Sequence, residues 1–337
     1  MSTGPFDLVT VGSAVIDHIH RVTVLPARDT GVMVLDKQSG PGGVEGNVAT
    51  AAARLGLSVG VITRLGSDAA GAMVLDDFRQ RGVDVLRVQI GGEDETAYTL
   101  VFVDGHGDRS MVTGGHGVRG LTLNEDDDAY IRRARVCFTS GYLPSQLLRR
   151  VARLCADGEG PALAFDLPGS FDDLEGRGLQ RHDVDTVLPA VELFLTNREH
   201  LRSYTGEETL TDGLSYLRAK GVRRASVSDR ERGLFLFEAD GREQELQFVP
   251  GFSVPVVDTT GAGDVLSAAL IAAWLLEKRP AAEAGRFAAA AAALSCTGWG
   301  VRAALPTWAE AAALAGVPGA QTRVTDADQY DADLDIR

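Results

Sequence analysis

Val254-Pro-Val-Val-Asp258-Thr-Thr-Gly261-Ala-Gly263-Asp264-Val-Leu-Ser-Ala-Ala-Leu270 is the stretch on which the reading of this 337-residue chain turns. Val254 to Val257 reads as an apolar strand ending at Asp258, and the run after Asp264 as an apolar, alanine-rich helix. Between them lies Gly261-Ala262-Gly263, a turn of small residues. A strand, a glycine turn and a helix start let several backbone N–H groups converge on one anion, and the helix dipole adds partial positive charge there. Small residues suit such a place, because a phosphate resting on the main chain leaves no room for a side chain. Asp264 then stands in the first helical turn beside that anion hole. Moving a phosphoryl group onto a hydroxyl needs this pairing: a base for the proton and donors for the migrating charge. A bare glycine turn followed by a helix-start acid would be no more than a tight connection, so the specificity lies in the full seven-residue string.

That string, Asp258-Thr-Thr-Gly-Ala-Gly-Asp264, resembles the signature of the ribokinase-like (PfkB-type) carbohydrate kinases. A second stretch points the same way. Gly40-Pro41-Gly42-Gly43-Val44-Glu45-Gly46-Asn47-Val48-Ala49 offers close backbone approach and an amide side chain. It leads into an apolar helix predicted over 47–55 and stopped by Gly56. It is not a Walker A loop, since no Lys-Ser/Thr follows, and Glu45 occupies the third glycine position of a dinucleotide fingerprint. It is similar to the family's Gly-Gly-x-x-x-Asn-x-Ala element, which in those kinases binds sugar hydroxyls. Gly66-Ser67-Asp68-Ala69-Ala70-Gly71 resembles a further family element, and Asp68 reads as the N-cap of a helix over 72–81.

The rest of the chain fits an α/β plan. Phe6 to Val11 is a strand, with Asp17 beyond its C-terminal end, where such sheets gather ligands. Residues 18–39 alternate weakly and show no helical period, and 95–116 read as a hairpin around Asp104–Asp108. Together they predict a small β-lid, which in the family covers the sugar and often mediates dimer contact. His116, at its exit, reads as a solvated loop residue. From 120 to 250 strand and helix patterns alternate, which predicts a parallel sheet covered on both faces. An alanine-rich helix over 281–297 precedes Gly298-Trp299-Gly300 and Leu305-Pro306-Thr307. The expectation is a ribokinase-like three-layer αβα sandwich, with a mostly parallel central sheet and a small β-lid, spanning residues 1–319. An acidic, weakly apolar tail follows over 320–337.

The resemblance covers about residues 6–316 and implies transfer of the ATP γ-phosphoryl to a primary hydroxyl of a sugar. Carried over by motif, Asp264 is the base, and Gly261, Ala262 and Gly263 are the anion hole. Asp17, Gly42, Gly43 and Asn47 hold the sugar. Asn197, Ser228, Gly233 and Gly300 contact the nucleotide. Asp258 and Thr260, with carbonyls near Ser295, Gly298 and Gly300, resemble the family's monovalent-cation site, which would take K+. The chain departs from the family at two places. Asn197-Arg198-Glu199-His200 has His200 where the family's magnesium-linked Glu stands, which leaves Glu199, one residue early, as the magnesium candidate. Ser228-Asp229-Arg230-Glu231-Arg232-Gly233 has Arg230 where the family has a glycine. Two other readings stand beside the sugar kinase. One is a nucleoside kinase of the same family, for which Tyr98 and Phe102 are the aromatic candidates. The other is a degenerate kinase fold that binds a sugar without turnover.

Bulk properties set limits. Lys and Arg number 33 against 47 Asp and Glu, a net charge of −14, which argues against a basic nucleic-acid surface. Three scattered cysteines, Cys137, Cys155 and Cys296, without CxxC spacing suggest neither zinc nor a disulfide framework. No secretory leader is apparent, and Val265–Leu276 is too short to span a bilayer, so a cytoplasmic enzyme is expected. A homodimer through the lid is the expected assembly.

Overall fold

The computed structural model describes residues 5–92, 95–240 and 243–319. The acidic tail expected from residue 320 lies outside the described residues. The strands, in chain order, are β1 (Phe6–Val11), β2 (Val15–Val22), β3 (Val34–Gly42), β4 (Val59–Ile62), β5 (Arg64–Gly66), β6 (Gln89–Gly91) and β7 (Tyr98–Val103), then β8 (Arg109–Gly114), β9 (Ala134–Ser140), β10 (Ala162–Asp166), β11 (Val191–Asn197), β12 (Arg224–Ser228), β13 (Gly233–Asp240) and β14 (Glu243–Pro250). The main sheet has the order β14-β13-β12-β11-β10-β9-β1-β4. It is parallel from β4 to β12 and closes with an antiparallel hairpin, β13 and β14, at one edge.

The parallel strands carry apolar residues on both faces, and successive residues feed opposite cores, as a sheet covered on both sides requires. Val136 and Phe138 of β9 pack on one side and Cys137 on the other; in β11, Leu193 and Leu195 oppose Phe194. The first core lies under helices α1 (Val44–Arg54), α2 (Ala69–Gln80), α9 (Ala262–Leu270), α10 (Ala281–Ser295) and α11 (Trp308–Ala315). The second lies under α3 (Glu125–Arg132), α4 (Ser145–Ala156), α5 (Phe171–Gly176), α6 (Arg181–Val187), α7 (Arg198–Thr205) and α8 (Leu210–Ala219). This is the expected three-layer αβα arrangement. Helix α9 runs on into a π-helical segment, Ile271–Leu276, and this apolar stretch is buried as expected. No helix among the described residues is long and apolar enough to cross a membrane.

The lid is a separate four-stranded sheet of order β3-β2-β7-β8. Its strands are displaced from the expected 18–39 and 95–116. The first begins three residues earlier, at Val15, and the second starts only at Val34 and runs to Gly42. Alternation was too weak to set these edges, because most of β3 is exposed and no buried face imposes a period of two.

Three further expectations are corrected. Helix α1 starts at Val44, not Asn47, because Gly43 adopts φ +87 and caps it, so Asn47 lies one turn inside. Helix α2 starts at Ala69, directly after its N-cap Asp68, whose side chain accepts from Gly71 N at 2.8 Å. Val254–Val257 is not a strand: Val257 N donates to Cys296 O at 2.8 Å, and no ladder forms. The run is apolar yet has no neighbouring strand, and Val256 and Val257 stay exposed.

Candidate active site

The parallel strands end together, and most of the expected residues lie along that C-terminal edge, where open α/β sheets place ligands. Helix α9 begins there with Gly261 as N-cap in the left-handed region, φ +79. A Cβ on Gly261 would lie 2.4 Å from Val301 Cγ1, so the position admits only glycine. No side chain caps this helix. Ala262 N turns back to Thr259 O at 3.3 Å. The next two amides, of Gly263 and Asp264, have no intrahelical acceptor at a helix start. A Cβ on Gly263 would meet nothing within 4 Å, so the main chain there faces open space. The place has the amides, the dipole and the room that a phosphate needs.

Asp264 is tied to the other motif. Asn47 Nδ2 donates to Asp264 Oδ2 at 2.7 Å across 217 residues of sequence. Burial pushes the Asp264 carboxyl up to about 7; the Asn47 hydrogen bond opposes this, the Glu45 and Asp17 charges add to it, and Arg302 counters it. Asp17 comes from β2, and burial raises it to about 6 against the Arg302 charge and a hydrogen bond from Thr99. Its carboxylate lies where a Cβ on Gly42 would sit, 2.0 Å from Oδ2, which is why glycine stands at 42. Gly43 admits no side chain either, since its Cβ would come within 2.9 Å of Ser13 O. Asp17, Gly42, Gly43, Asn47 and Asp264 thus form one group.

Sequence reasoning passed over four side chains here. Glu45, fully buried in α1, accepts from Ser13 N at 2.8 Å and Ser13 Oγ at 2.6 Å, and burial raises its carboxyl. Asp166 ends β10; burial raises its carboxyl well above the usual range, and the Asp264 and Glu45 charges raise it further. Arg302, buried in the loop after α10, donates through Nε to Asn47 Oδ1 at 3.0 Å and through Nη2 to Gly42 O at 3.1 Å. Its Nη1 pairs with Asp77 of α2. Glu45 carried a signal, an acid inside a glycine loop. Arg302 and Asp77 carried none, since they meet across 225 residues of sequence.

The remaining residues form a second group along the same edge. Asn197 and Ser228 are register partners at the ends of β11 and β12. Asn197 caps α7, accepting from His200 N at 2.8 Å, and its amide nitrogen lies 3.1 Å from His200 Nδ1. His200 Nδ1 is also 3.2 Å from Leu167 O, and burial lowers its pKa, so the ring is neutral. Gly233 has φ +125, and its Cβ would lie 2.0 Å from Val249 O. Arg230 keeps a glycine-like backbone, φ +51, with its side chain directed outward to Glu199 Oε2 at 3.8 Å. Both partners of that pair are largely exposed. Gly300 N donates to Asp258 Oδ2 at 3.0 Å, while Asp258 Oδ1 accepts from Thr260 N and Oγ1 at 2.9 and 2.7 Å. This carboxylate therefore ties the 258–260 turn to the 298–300 loop.

A narrow cleft of about 110 Å³ runs between the lid and this turn, lined by Ile19, Arg21, Val103, Asp258, Thr260 and Trp299. A roomier cavity of about 670 Å³ lies at the opposite ends of the strands, against Arg135, Arg224 and Trp274. None of the expected residues lines it, and strand polarity favours the first location.

A doubly covered, mostly parallel sheet, with buried carboxylates and a bare helix start at its C-terminal edge under a β-lid, has the ribokinase-like fold. The pfkB family carbohydrate kinase model matches residues 6–308, and the chain belongs to that family. It is therefore a carbohydrate kinase. The ribokinase of Bacillus subtilis (strain 168) is 28% identical over 312 residues, 89% of this chain and 96% of that protein. The ATP-dependent ribose-1-phosphate kinase of Halopiger xanaduensis is 29% identical over 258 residues, 76% of this chain and 81% of that protein. Among solved structures, Arabidopsis thaliana ribokinase complexed with ribose and ATP superposes with a TM-score of 0.77 at 24% identity, covering 94% of this chain and 100% of that one. The adenosine kinase of Sinorhizobium meliloti superposes at 0.74 with 25% identity, covering 90% and 98%.

Proposed function

We propose that this protein transfers the γ-phosphoryl of ATP to the primary hydroxyl of a small sugar, with Asp264 as the base. The observation that carries this is the hydrogen bond from Asn47 to Asp264, which joins the two signature stretches at one helix start. A carboxylate raised to about 7 is poised to take a proton near neutral pH. Asp17 and Asn47, with the bare backbone of Gly42 and Gly43, would orient the sugar so that its hydroxyl meets Asp264. The amides at the start of α9 would hold the transferring phosphoryl, the charge-stabilising part of the reaction. The ribokinase and fructokinase relatives favour a pentose or a ketohexose as acceptor.

Asn197, Ser228, Gly233 and Gly300 would contact the nucleotide, whose magnesium supplies charge neutralisation at the phosphates. His200 fits that ion poorly, being a neutral ring nitrogen held against Leu167 O, whereas Glu199 offers the hard oxygen that magnesium prefers. For a monovalent cation, Asp258 and Thr260 are the side-chain candidates; the bond that Asp258 accepts from Gly300 N would transmit its binding to the nucleotide side. The lid would supply a dimer face, as its exposed Met33, Leu35, Met111 and Val112 suggest.

The test is ADP release over a panel of sugars and nucleosides. The adenosine kinase neighbour keeps nucleosides on that panel. Tyr98 and Phe102 already lie against His18 and His20, with ring centroids 6.2 and 5.5 Å apart, which favours the sugar. Turnover with pentoses or ketohexoses is expected. Binding of a sugar without turnover on any acceptor would overturn the kinase reading of this site.

A further inference from the structure

Arg302 belongs to none of the motifs used above, yet its guanidinium is buried at the floor of the site. We infer that Arg302 is a positioning residue for the base: by taking the oxygen of the Asn47 amide, it turns the amide nitrogen toward Asp264 and holds that carboxylate in place. The inference rests on the reading of Asp264 as the base.

The geometry leaves the amide one orientation. A guanidinium only donates, and a primary amide has one accepting end and one donating end. With Arg302 Nε at 3.0 Å from Oδ1, the nitrogen is left facing Asp264 Oδ2 at 2.7 Å. The flipped amide would set donor against donor on one side and oxygen against carboxylate on the other. Arg302 is itself held from two more directions. Nη2 donates to Gly42 O at 3.1 Å, and Nη1 pairs with Asp77. Room for it is built in, since a Cβ on Gly46 would come 2.8 Å from Nη2. The chain Asp77–Arg302–Asn47–Asp264 thus runs from α2 through the loop after α10 and α1 to the start of α9.

Charge acts in the same sense. The acids set around Asp264 are Asp17 from β2, Glu45 from α1 and Asp166 from β10; Arg302 is the cation that opposes them. Asp77 of α2 and Arg81, just after its end, lie on its far side. Without Arg302, Asp264 would lose an opposing charge and an oriented donor, and would hold its proton to higher pH.

Arg302→Met keeps the unbranched stem while removing the guanidinium fork, and Asp77 keeps Arg81 as a partner at 2.8 Å. The acid limb of kcat should move up by about one pH unit. The loss should be about eightfold at pH 6.5 and almost vanish by about pH 9. Arg302→Lys, a cation without the fork, should fall between the two. A pH-independent loss, or an unmoved acid limb, overturns the inference. A second readout does not need turnover. With ¹⁵N-asparagine the chain carries labels at Asn47, Asn124 and Asn197, and the Asn47 side-chain amide should show the shift of a charge-assisted hydrogen bond. That shift should vanish in Arg302→Met and stay if Arg302 is only a packing group. A wild-type protein that phosphorylates nothing would sink the proposed function while leaving this measurement decisive. Should Arg302→Met fail to fold, Arg302→Lys and Asp77→Asn are read by the same amide signal; no change in either overturns the inference.

Discussion

Asp17 and Asp264 are carboxylates held away from the water that favours their ionised form, and each gives its own pH signature. Asp17 accepts from sugar hydroxyls at both oxygens, and with charge assistance, only when ionised, and burial has moved its pKa to about 6. The sugar KM should therefore rise as pH falls through 6, with kcat at saturation governed by Asp264 instead. Steady-state kinetics from pH 5 to 8 checks this; in Asp17→Asn the KM should be raised and flat across that range. Asp264→Asn should lower kcat by about 10²–10⁴. The same substitution should stabilise the fold, because it removes a carboxyl whose ionisation the native state opposes. The sign follows from linkage: with a folded pKa of about 7 against an ordinary carboxylate value of 3.8, the native state binds more protons than the unfolded chain between these values. Stability is thereby lost as pH rises through that window, and wild type should trail Asp264→Asn by roughly 2–5 °C in Tm at pH 8. Equal melting temperatures would count against the buried-charge account. The residues legible in the sequence were those that chemistry forces into a short string, Gly261 to Asp264 and Gly42 to Asn47. Asp166 and Arg302 were not legible, because only the folded chain brings them to the site.

Helix α9 is the element where geometry and chemistry separate most cleanly. Gly261 has both a positive φ and a close neighbour, so Gly261→Ala should cost at least about 1–2 kcal/mol through backbone handedness alone, and Val301 must also move. Gly263 has neither constraint. In Gly263→Ala the helix should be as stable as wild type or up to about 1 kcal/mol better, while the methyl enters the open space beside the helix start, where the phosphoryl is proposed to sit. Thermal melts together with kcat/KM for ATP distinguish the two: Gly261→Ala loses stability, and Gly263→Ala loses at least about tenfold in kcat/KM without losing stability. An active Gly263→Ala enzyme would mean that the anion does not rest there. Asp68 was legible as the N-cap of α2, although the helix begins three residues before the expected start; Thr307 caps α11 in the same way. Val254–Val257 misled because apolar character predicts burial and not pairing. Whether an apolar run becomes a strand depends on a partner that the local sequence does not name.

At the scale of the molecule, the lid leaves Met33, Val34, Leu35, Met111 and Val112 exposed while the two cores are closed. A dimer through this face is the expected assembly, and light scattering on Met111→Asp should show a monomer where wild type shows a dimer. The layer order was legible because the parallel strands carry apolar residues on both faces and are joined through helices. The antiparallel edge and the reach of the lid were not, since exposed strands carry little pattern. The lid also touches the far half of the site. A Cβ on Gly300 would lie 2.2 Å from Gln38 Nε2 of β3, and the Arg21 guanidinium of β2 stands 5.1 Å over the Trp299 ring. The strands that carry Asp17 and Gly42 are thus in contact with the loop that would meet the nucleotide. A sugar and a nucleotide bound as proposed would therefore both bear on the lid, and by thermodynamic reciprocity whatever factor one adds to the affinity of the other must be returned. Calorimetric titrations in either order should close that cycle, and shortening Gln38 should flatten it.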